Sequence, residues 1–222
     1  MVTKKKIKFE YTKVDEAVFI GHLDMQILFI RALNRAGIRC AYSKGFHPMP
    51  KMSFGSALSL GLNSISEYAE FELTNFISAD EFMKSMNENL PNGLKILNAS
   101  EISFKQEALF KSITKVIYEA KLDSIESMMD GSKTVRECLD DYHNSGELII
   151  TKTKKNKVKR TNVKDFVDTI QLDDEKRTLT VTIRRTDKGE LNIFNFLSIL
   201  LNIAKDDIIG AEILKTKSII SR

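Results

Sequence analysis

The chain has few of the residues that build covalent or metal-centred scaffolds. Of its 222 residues two are cysteines, Cys40 and Cys138, and they form no Cys-x-x-Cys pair. The chain therefore cannot hold an all-cysteine iron–sulfur cluster by itself. Two distant cysteines favour buried free thiols in a reducing compartment over a disulfide. Tryptophan is absent, and 13 phenylalanines and 8 methionines predict a phenylalanine-rich aliphatic core.

Long apolar stretches are missing as well. No uninterrupted apolar run reaches the roughly 18 residues that a membrane-spanning helix needs. The first residues are rich in lysine and then alternate, which differs from an apolar signal region. We therefore expect a cytoplasmic protein with no membrane partner. The net charge of +4 permits binding to a polyanion without requiring it.

The familiar catalytic motifs are the third absence. The sequence contains no G-x-S-x-G, no P-loop, no G-x-G-x-x-G and no H-E-x-x-H. His22 and His47 have no carboxylate or cysteine at metal-ligand spacing, and His143 ends a predicted helix. We expect no metal and no cofactor, and we favour a binding protein over an enzyme.

Alternating and helical periodicities give the first hundred residues a regular order. Helices are predicted from Leu23 to Ala36 and from a capping box at Ser78 to Leu90. Strands are predicted for residues 6–13, 39–42, 67–74 and 94–102, and the stretch 52–60 lies between the second and the third of them. This order, βαββαβ, is typical of the ferredoxin-like arrangement, in which two helices cover one face of an antiparallel sheet.

The second half repeats the plan less regularly. Strands are predicted for residues 113–122, 147–153, 178–184 and 211–220, helices for 133–142 and 194–203, and a short element for 166–172. We therefore expect an α+β protein of two ferredoxin-like βαββαβ halves, residues 1–104 and 105–222, with antiparallel sheets and helices on one face of each. The basic stretch 151–164 is expected to be a hairpin inserted in the second half.

Gly21-His22-Leu23-Asp24 opens the first predicted helix. A helix N-terminus has unpaired N–H groups and the positive end of the helix dipole, so His22 there can contact a phosphate or move a proton. In the structural alternative, Asp24 interacts with the dipole and His22 hydrogen-bonds a neighbouring strand. His22 is therefore a candidate binding residue and, together with His47, a candidate for catalysis.

Gly45-Phe46-His47-Pro48-Met49-Pro50 forms a loop that two prolines stiffen and that Gly45 allows to bend. Aromatic and basic side chains on a stiff loop suit stacking on a base together with phosphate contact. The candidate binding residues here are Lys44, Phe46, His47 and Lys51. In the alternative, the loop is a rigid turn whose Phe46 packs into the core.

A run of seven positive side chains lies between Thr151 and Lys164, with no acidic residue among them. The candidates for nucleic-acid or partner binding in this run are Lys154, Lys155, Lys157, Lys159 and Arg160. Alternating lysines on an extended hairpin suit contact with a phosphate backbone. The alternative is a solvated hairpin whose lysines prevent edge-to-edge pairing of strands. Arg31, Arg35 and Arg39 around the end of the first helix are a further basic cluster.

The residues around both motifs carry a family resemblance. Residues 19–24, 31–38, 43–54 and 57–68 are similar to the radical SAM-linked family, bacterial proteins of unknown function found beside, or fused to, a radical S-adenosylmethionine protein. The resemblance implies a radical SAM protein encoded nearby as a partner, with ribosomal or transfer RNA as a further one. This chain lacks the Cys-x-x-x-Cys-x-x-Cys of a radical SAM enzyme, so it would be the associate.

Three hypotheses of function follow from these features. The first is a non-catalytic accessory of a radical SAM enzyme that binds RNA or presents substrate. The second is a metal-independent RNA-processing enzyme that uses His22 or His47, because the element order resembles tandem ferredoxin-like endonucleases that cleave CRISPR repeats. Their glycine-rich C-terminal loop is missing here. The third is a protein-interaction module without nucleic-acid binding.

Overall fold

The computed structural model describes residues 4–154, 157–187 and 189–221, and it describes side chains outside 152–159. The chain divides into a first unit up to Ile113, rejoined by the last residues from Ile220, and a second unit Thr114–Ile219. Both units combine helices with antiparallel strands, so the architecture is mixed α/β. Across the described ranges, no helix is both long enough and apolar enough to cross a membrane.

The first unit alternates helices and strands in the predicted order, but its second strand is Met52–Phe54. A 3-10 turn at Asp15–Phe19 precedes the first helix, and a short helix closes the unit. Its elements are β1 (Lys5–Lys13), α1 (His22–Arg35), β2 (Met52–Phe54), β3 (Asn63–Leu73), α2 (Ala79–Asn87), β4 (Leu94–Ile102) and α3 (Leu109–Ser112).

Strand β1 lies in the centre of the sheet of the first unit. It pairs antiparallel with β3, with Phe9 opposite Ala69, and antiparallel with β4, with Phe9 opposite Ala99. Strand β2 pairs antiparallel with the other side of β3, with Met52 opposite Phe71. The spatial order is therefore β4-β1-β3-β2.

Five phenylalanine rings form the centre of the core, which confirms the phenylalanine-rich core predicted from composition. Phe9 and Phe71 meet edge to face with their ring centroids 4.8 Å apart, and Phe29 from α1 and Phe82 from α2 pack against both. Phe54 from β2 extends the cluster to the sheet edge. Burial of large apolar side chains stabilises such a core by about 1.5–3 kcal/mol each.

The opposite face of this sheet carries paired charges. Glu70 is buried, and the Lys6 ammonium lies 2.6 Å from its Oε2 atom. Ser66 Oγ donates a hydrogen bond to Glu10 Oε1 at 2.7 Å. A charged group that loses water is tolerated only when a partner replaces the lost hydration. The outer face is therefore a polar layer whose charges largely neutralise one another.

The capping box predicted at Ser78 is confirmed. Ser78 Oγ accepts from the Glu81 amide, and Glu81 Oε2 accepts from the Ser78 amide and the Ser78 hydroxyl. These bonds hold the pKa of Glu81 below its usual value.

The strand predicted for residues 39–42 is wrong. Only single bridges occur there, Cys40 with Leu73 and Tyr42 with Pro50, because this segment meets the end of β3 and then leaves the sheet.

The second unit contains more elements than its sequence pattern predicts. Its strands are β5 (Ile113–Lys121), β6 (Ile149–Lys154), β7 (Lys157–Asn162), β8 (Val167–Asp173), β9 (Thr178–Arg184) and β10 (Ile213–Ile220). Its helices are α4 (Leu122–Glu126), α5 (Val135–Asn144), α6 (Ile193–Leu200) and α7 (Lys205–Ile208). The order of the main strands is β10-β5-β9-β8, and β6 and β7 form a separate two-stranded hairpin.

The cysteines stay free thiols, one in each unit: Cys138 is buried and Cys40 is half-buried. Burial raises the pKa of the Cys40 thiol to about 11, against a smaller opposing effect of backbone hydrogen bonds. Burial also raises the pKa of Cys138. The free-thiol prediction is confirmed, although Cys40 is less buried than expected.

Gly93 sits where the turn before β4 touches the end of β1. Its φ is +84°, and a Cβ atom placed on it would lie 2.2 Å from the Val14 carbonyl oxygen. The Val14 amide donates to the Gly93 carbonyl at 3.0 Å, so the two backbones cannot easily separate. Only glycine fits a left-handed position with so close an approach.

Replacing Gly93 with alanine is therefore expected to lower the free energy of unfolding more than the same change at Gly37. Gly37 also has a positive φ, +68°, but nothing lies within 4 Å of its Cβ position. We expect Gly37→Ala to cost about 1–2 kcal/mol from backbone strain alone, and Gly93→Ala at least twice as much. Urea unfolding followed by circular dichroism measures both. Equal losses would contradict the close approach.

Candidate interaction surface of the first unit

His22 is the first residue of α1 and is exposed. Its ring packs edge to face on Phe54 with centroids 5.6 Å apart, and its Nε2 lies 3.3 Å from Gln26 Nε2. The contacts are therefore with a ring of β2 and with the next turn of the helix. The hydrogen bond to a neighbouring strand, which the structural alternative required, is not among the contacts of His22 in the described chain.

The N-cap of α1 is Gly21, which offers no side chain to cap the helix. The Asp24 carboxylate lies in the first turn of α1, where its Oδ2 would be 3.1 Å from a Cβ atom on Gly21. A carboxylate in the first turn stabilises the positive end of the helix dipole. Asp24 therefore has the structural role that the sequence offered as one alternative.

Residues 43–50 form a closed loop that stands out from the sheet edge. The Ser43 amide donates to the Met49 carbonyl at 2.8 Å, and the Met49 amide donates to Ser43 Oγ at 2.9 Å. Below them the Lys51 amide donates to the Ala41 carbonyl at 2.8 Å. Three hydrogen bonds across the base, with the fixed φ angles of two prolines, restrict the loop strongly.

Phe46 at the tip of this loop is completely exposed, with a relative accessibility of 102%. The alternative that Phe46 packs into the core is therefore wrong. Lys44 and His47 beside it are exposed as well, and so is most of Met49. Phe46 and Met49 together expose apolar surface at the tip of a loop that hydrogen bonds close at its base.

Lys51 differs from the other candidates of the loop. Its ammonium pairs with Glu72 Oε2 at 2.8 Å, and both side chains are partly buried. Glu72 also joins the loop base through its backbone, which bonds to Ala41 and Lys51. The charge of Lys51 is thus paired with the Glu72 carboxylate within the protein. Of the four candidates, Lys44, Phe46 and His47 are exposed and Lys51 is partly buried.

The two histidines occupy different places along β2. His22 packs on Phe54 at the last residue of the strand, whereas His47 lies in the loop that leads into the first residue, Met52. No contact joins His22 to residues 43–50 in the described structure. No group of three histidine, cysteine, aspartate or glutamate side chains in the described chain is placed to hold a metal ion.

The basic run forms the hairpin of β6 and β7, as predicted from its sequence. Lys152 pairs with Lys159 and Lys154 with Lys157 across the ribbon. Lys155 and the side chains of Lys154, Lys157 and Lys159 lie outside the described residues. Arg160 is described and exposed.

Lys164, the last cation of this run, caps helix α5 instead of facing solvent. Its ammonium donates to the carbonyl oxygens of Tyr142 and Ser145 and lies 4.6 Å from the centroid of the Tyr142 ring. A cation is stabilised at a helix C-terminus by the unpaired carbonyls and the negative end of the dipole. Lys164 therefore does not belong to a phosphate-binding track.

A buried polar cluster under the start of α1 was missed by the sequence patterns. Lys13 Nζ donates to the Val18 carbonyl at 3.3 Å, and Ser64 Oγ donates to Glu67 Oε1 at 2.7 Å. Burial lowers the pKa of Lys13, and the negative charge of Glu67 opposes that shift. Lys13 continues the alternation of the apolar positions of β1, so its buried place was readable from the sequence. The cluster holds the 3-10 turn that leads into α1.

Comparison with known protein families gives a match over most of the chain. A family model described as "Uncharacterized protein conserved in bacteria (DUF2344)" matches residues 6–193. This span includes α1, the loop 43–50 and the basic hairpin. A search of the curated proteins finds no match.

The Ser43 hydroxyl is expected to keep the loop closed. Ser43→Ala removes the acceptor of the Met49 amide, and a net hydrogen bond contributes about 0.5–1.5 kcal/mol. We therefore expect the hydrogen-exchange rate of the Met49 amide, measured by NMR, to rise about 2- to 10-fold. Ser53→Ala in β2, at an exposed position, is the control and should leave this rate unchanged. An unchanged rate in both variants would contradict a closed loop.

Lys164→Met is expected to destabilise the second unit because it uncovers two helix carbonyls and removes the cation from the Tyr142 ring. The cost should be about 1–2 kcal/mol in the free energy of unfolding, measured by urea titration. Lys217→Met removes an exposed lysine of β10 and serves as the matched control. A loss no larger than that of the control would show that Lys164 is a surface charge after all.

Proposed function

The chain belongs to the bacterial family named above, and we propose that it is a non-catalytic accessory protein that binds single-stranded RNA. The loop 43–50 is the proposed contact. The observation that carries the proposal is the position of Phe46, a fully exposed aromatic ring on a loop closed by Ser43. The same tip also presents Lys44 and His47.

Each of these side chains matches one part of a nucleotide. A phenylalanine ring stacks on any unpaired base, because every base has a π face. The Lys44 ammonium provides a cation for the adjacent phosphate, and His47 provides a ring nitrogen for a hydrogen bond. A stiff loop favours binding, because little conformational freedom is lost when the complex forms. Binding would therefore combine stacking with salt-dependent attraction.

The outer sheet face of the first unit suits RNA less well. It carries the acidic residues Glu10 and Glu70, and Glu70 is buried beside Lys6. Carboxylates repel phosphates, and cations already paired with them attract phosphates only weakly. This favours the loop over the sheet as the contact.

We further infer that each unit has the ferredoxin-like topology. The antiparallel order β4-β1-β3-β2 supports it in the first unit, and the order β10-β5-β9-β8 supports it in the second. The hairpin β6–β7 would then be an insertion between the first helix and the second strand of that plan.

The proposed protein partner is a radical SAM enzyme. The support is the resemblance of residues 19–68 to the radical SAM-linked family, together with the absence of a cysteine motif that would make this chain the catalyst. In that arrangement the enzyme would supply the chemistry and this chain would supply the RNA contact.

Phe46→Ala is expected to weaken RNA binding because it removes the stacking ring. Alanine substitution of a stacking aromatic costs about 1–3 kcal/mol per base, which is about 5- to 150-fold in Kd. The probe is a fluorescein-labelled single-stranded RNA followed by fluorescence anisotropy at several salt concentrations. Lys44→Ala should in addition make the dependence of log Kd on log salt less steep by about one phosphate contact.

Phe76→Ala is the matched control, since Phe76 is also an exposed phenylalanine of the first unit, with the Lys5 ammonium 4.2 Å from its ring centroid. Equal effects of both substitutions, or no RNA binding at low salt, would contradict the proposal.

A second experiment tests for cleavage: the same RNA is run on a denaturing gel after incubation with the protein. Cleavage that His22→Ala or His47→Ala abolishes would favour the RNA-processing enzyme instead.

A further inference from the structure

Five exposed side chains, four residues apart in the sequence, form a ridge on the first unit. Phe19, Leu23 and Ile27 are apolar and exposed over 74%, 72% and 47% of their surface, and Arg31 and Arg35 continue the spacing. Residues four apart are neighbours on a helix, and all of these except Phe19 lie in α1. The ridge therefore changes from apolar at the start of α1 to cationic at its end.

A groove runs beside this ridge, between α1 and the turn that joins α2 to β4. Its volume is about 860 Å³. Leu28, Leu90 and Pro91 contribute apolar surface to its lining. The charged residues of the lining are two arginines and two acids, Arg31, Arg35, Asp24 and Glu88. An apolar groove next to exposed apolar side chains is the usual form of a site that receives an amphipathic helix.

The two arginines differ in what they contact. Arg35 Nη2 donates to the Asn89 carbonyl at 2.5 Å, which fixes its guanidinium to the far wall of the groove. Arg31 has no hydrogen bond or ion pair with any residue in the described part of the chain. Glu88 also lines the groove, but it is paired with neither arginine there. A guanidinium beside apolar surface is complementary to a carboxylate that arrives with apolar neighbours.

We propose that this ridge and groove dock an amphipathic α-helix of a partner protein. The partner helix carries apolar side chains four residues apart and a carboxylate that pairs with Arg31. Ridges of four-residue spacing on two helices interdigitate when the helices cross at about −50°, which is the commonest packing of helices. The surface is separate from the loop 43–50, so the inference does not depend on RNA binding.

A second copy of this chain is a less suitable occupant. The carboxylate on its own ridge-bearing helix that could meet Arg31 is Asp24, and that carboxylate is turned back toward the backbone at Gly21. RNA is also less suitable, because Leu23 and Ile27 have no aromatic ring that could stack on a base. Charge complementarity therefore favours a partner helix with an outward carboxylate.

The test uses two fluorescein-labelled peptides that a lactam bridge on the far face holds helical. Both carry three leucines at four-residue spacing; one ends this series with glutamate and the other with lysine. Fluorescence anisotropy with the full chain should give a Kd at least about tenfold lower for the glutamate peptide. Arg31→Glu should reverse this preference. Leu23→Asp should weaken binding of both peptides at least about tenfold.

Leu97→Asp is the matched control, because Leu97 is an exposed leucine of β4 outside the lining of the groove. It should leave both affinities unchanged, and circular dichroism checks that all variants are folded. The proposal is overturned if the wild type binds both peptides alike or binds neither at about 1 mM. It is also overturned if Arg31→Glu keeps the original preference.

Two further outcomes assign the surface to another occupant. A dimer in sedimentation velocity that Leu23→Asp dissociates would show that a second copy covers the ridge. Displacement of the glutamate peptide by single-stranded RNA would show that RNA uses it. Phe46→Ala should leave peptide binding unchanged, and Leu23→Asp should leave RNA binding unchanged. The failure of one proposal is thereby distinguishable from the failure of the other.

Discussion

The register between β1 and β3 is the constraint on which the first unit depends. With Phe9 opposite Ala69, the alternate residues of both strands point apolar rings toward the two helices and most charged groups away from them; Lys13 and Glu67, in the buried cluster under α1, are the exceptions named above. A slip by one residue would bury the outer lysines and glutamates among the rings and expose the rings to water. The position of α1, and with it His22 and the ridge, follows from that register because Phe29 packs on both strands.

Periodicity predicted the elements whose two sides differ strongly. Strand β9 has the bounds expected from its β-branched residues, and the capping box at Ser78 marks the start of α2 as expected. The failure at residues 39–42 has a physical reason, since an alternating pattern does not reveal whether a neighbouring strand is long enough to pair with. Here β3 ends at Leu73, so the segment finds only single bridges.

The candidate site was predictable in its position and less so in its contacts. Two prolines and a glycine made the loop 43–50 stiff on any fold, whereas the exposure of Phe46 depends on how far the loop stands from the sheet. The sequence does not distinguish Lys51 and Lys164 from other surface lysines. In the structure Lys51 forms an ion pair with Glu72, and Lys164 donates to carbonyl oxygens at the end of α5. Whether a lysine is paired or exposed depends on partners that the tertiary structure brings from distant positions in the chain. The spacing of nearby residues does not predict these partners.

The protonation of the two cysteines has a practical consequence for chemical labelling. A thiol reacts with maleimides or iodoacetamide as the thiolate, and raised pKa values keep Cys40 and Cys138 protonated near neutral pH. Partial or full burial slows their reaction further. The two native thiols are thus expected to react slowly. A single cysteine introduced at an exposed position should therefore accept a fluorophore or spin label selectively.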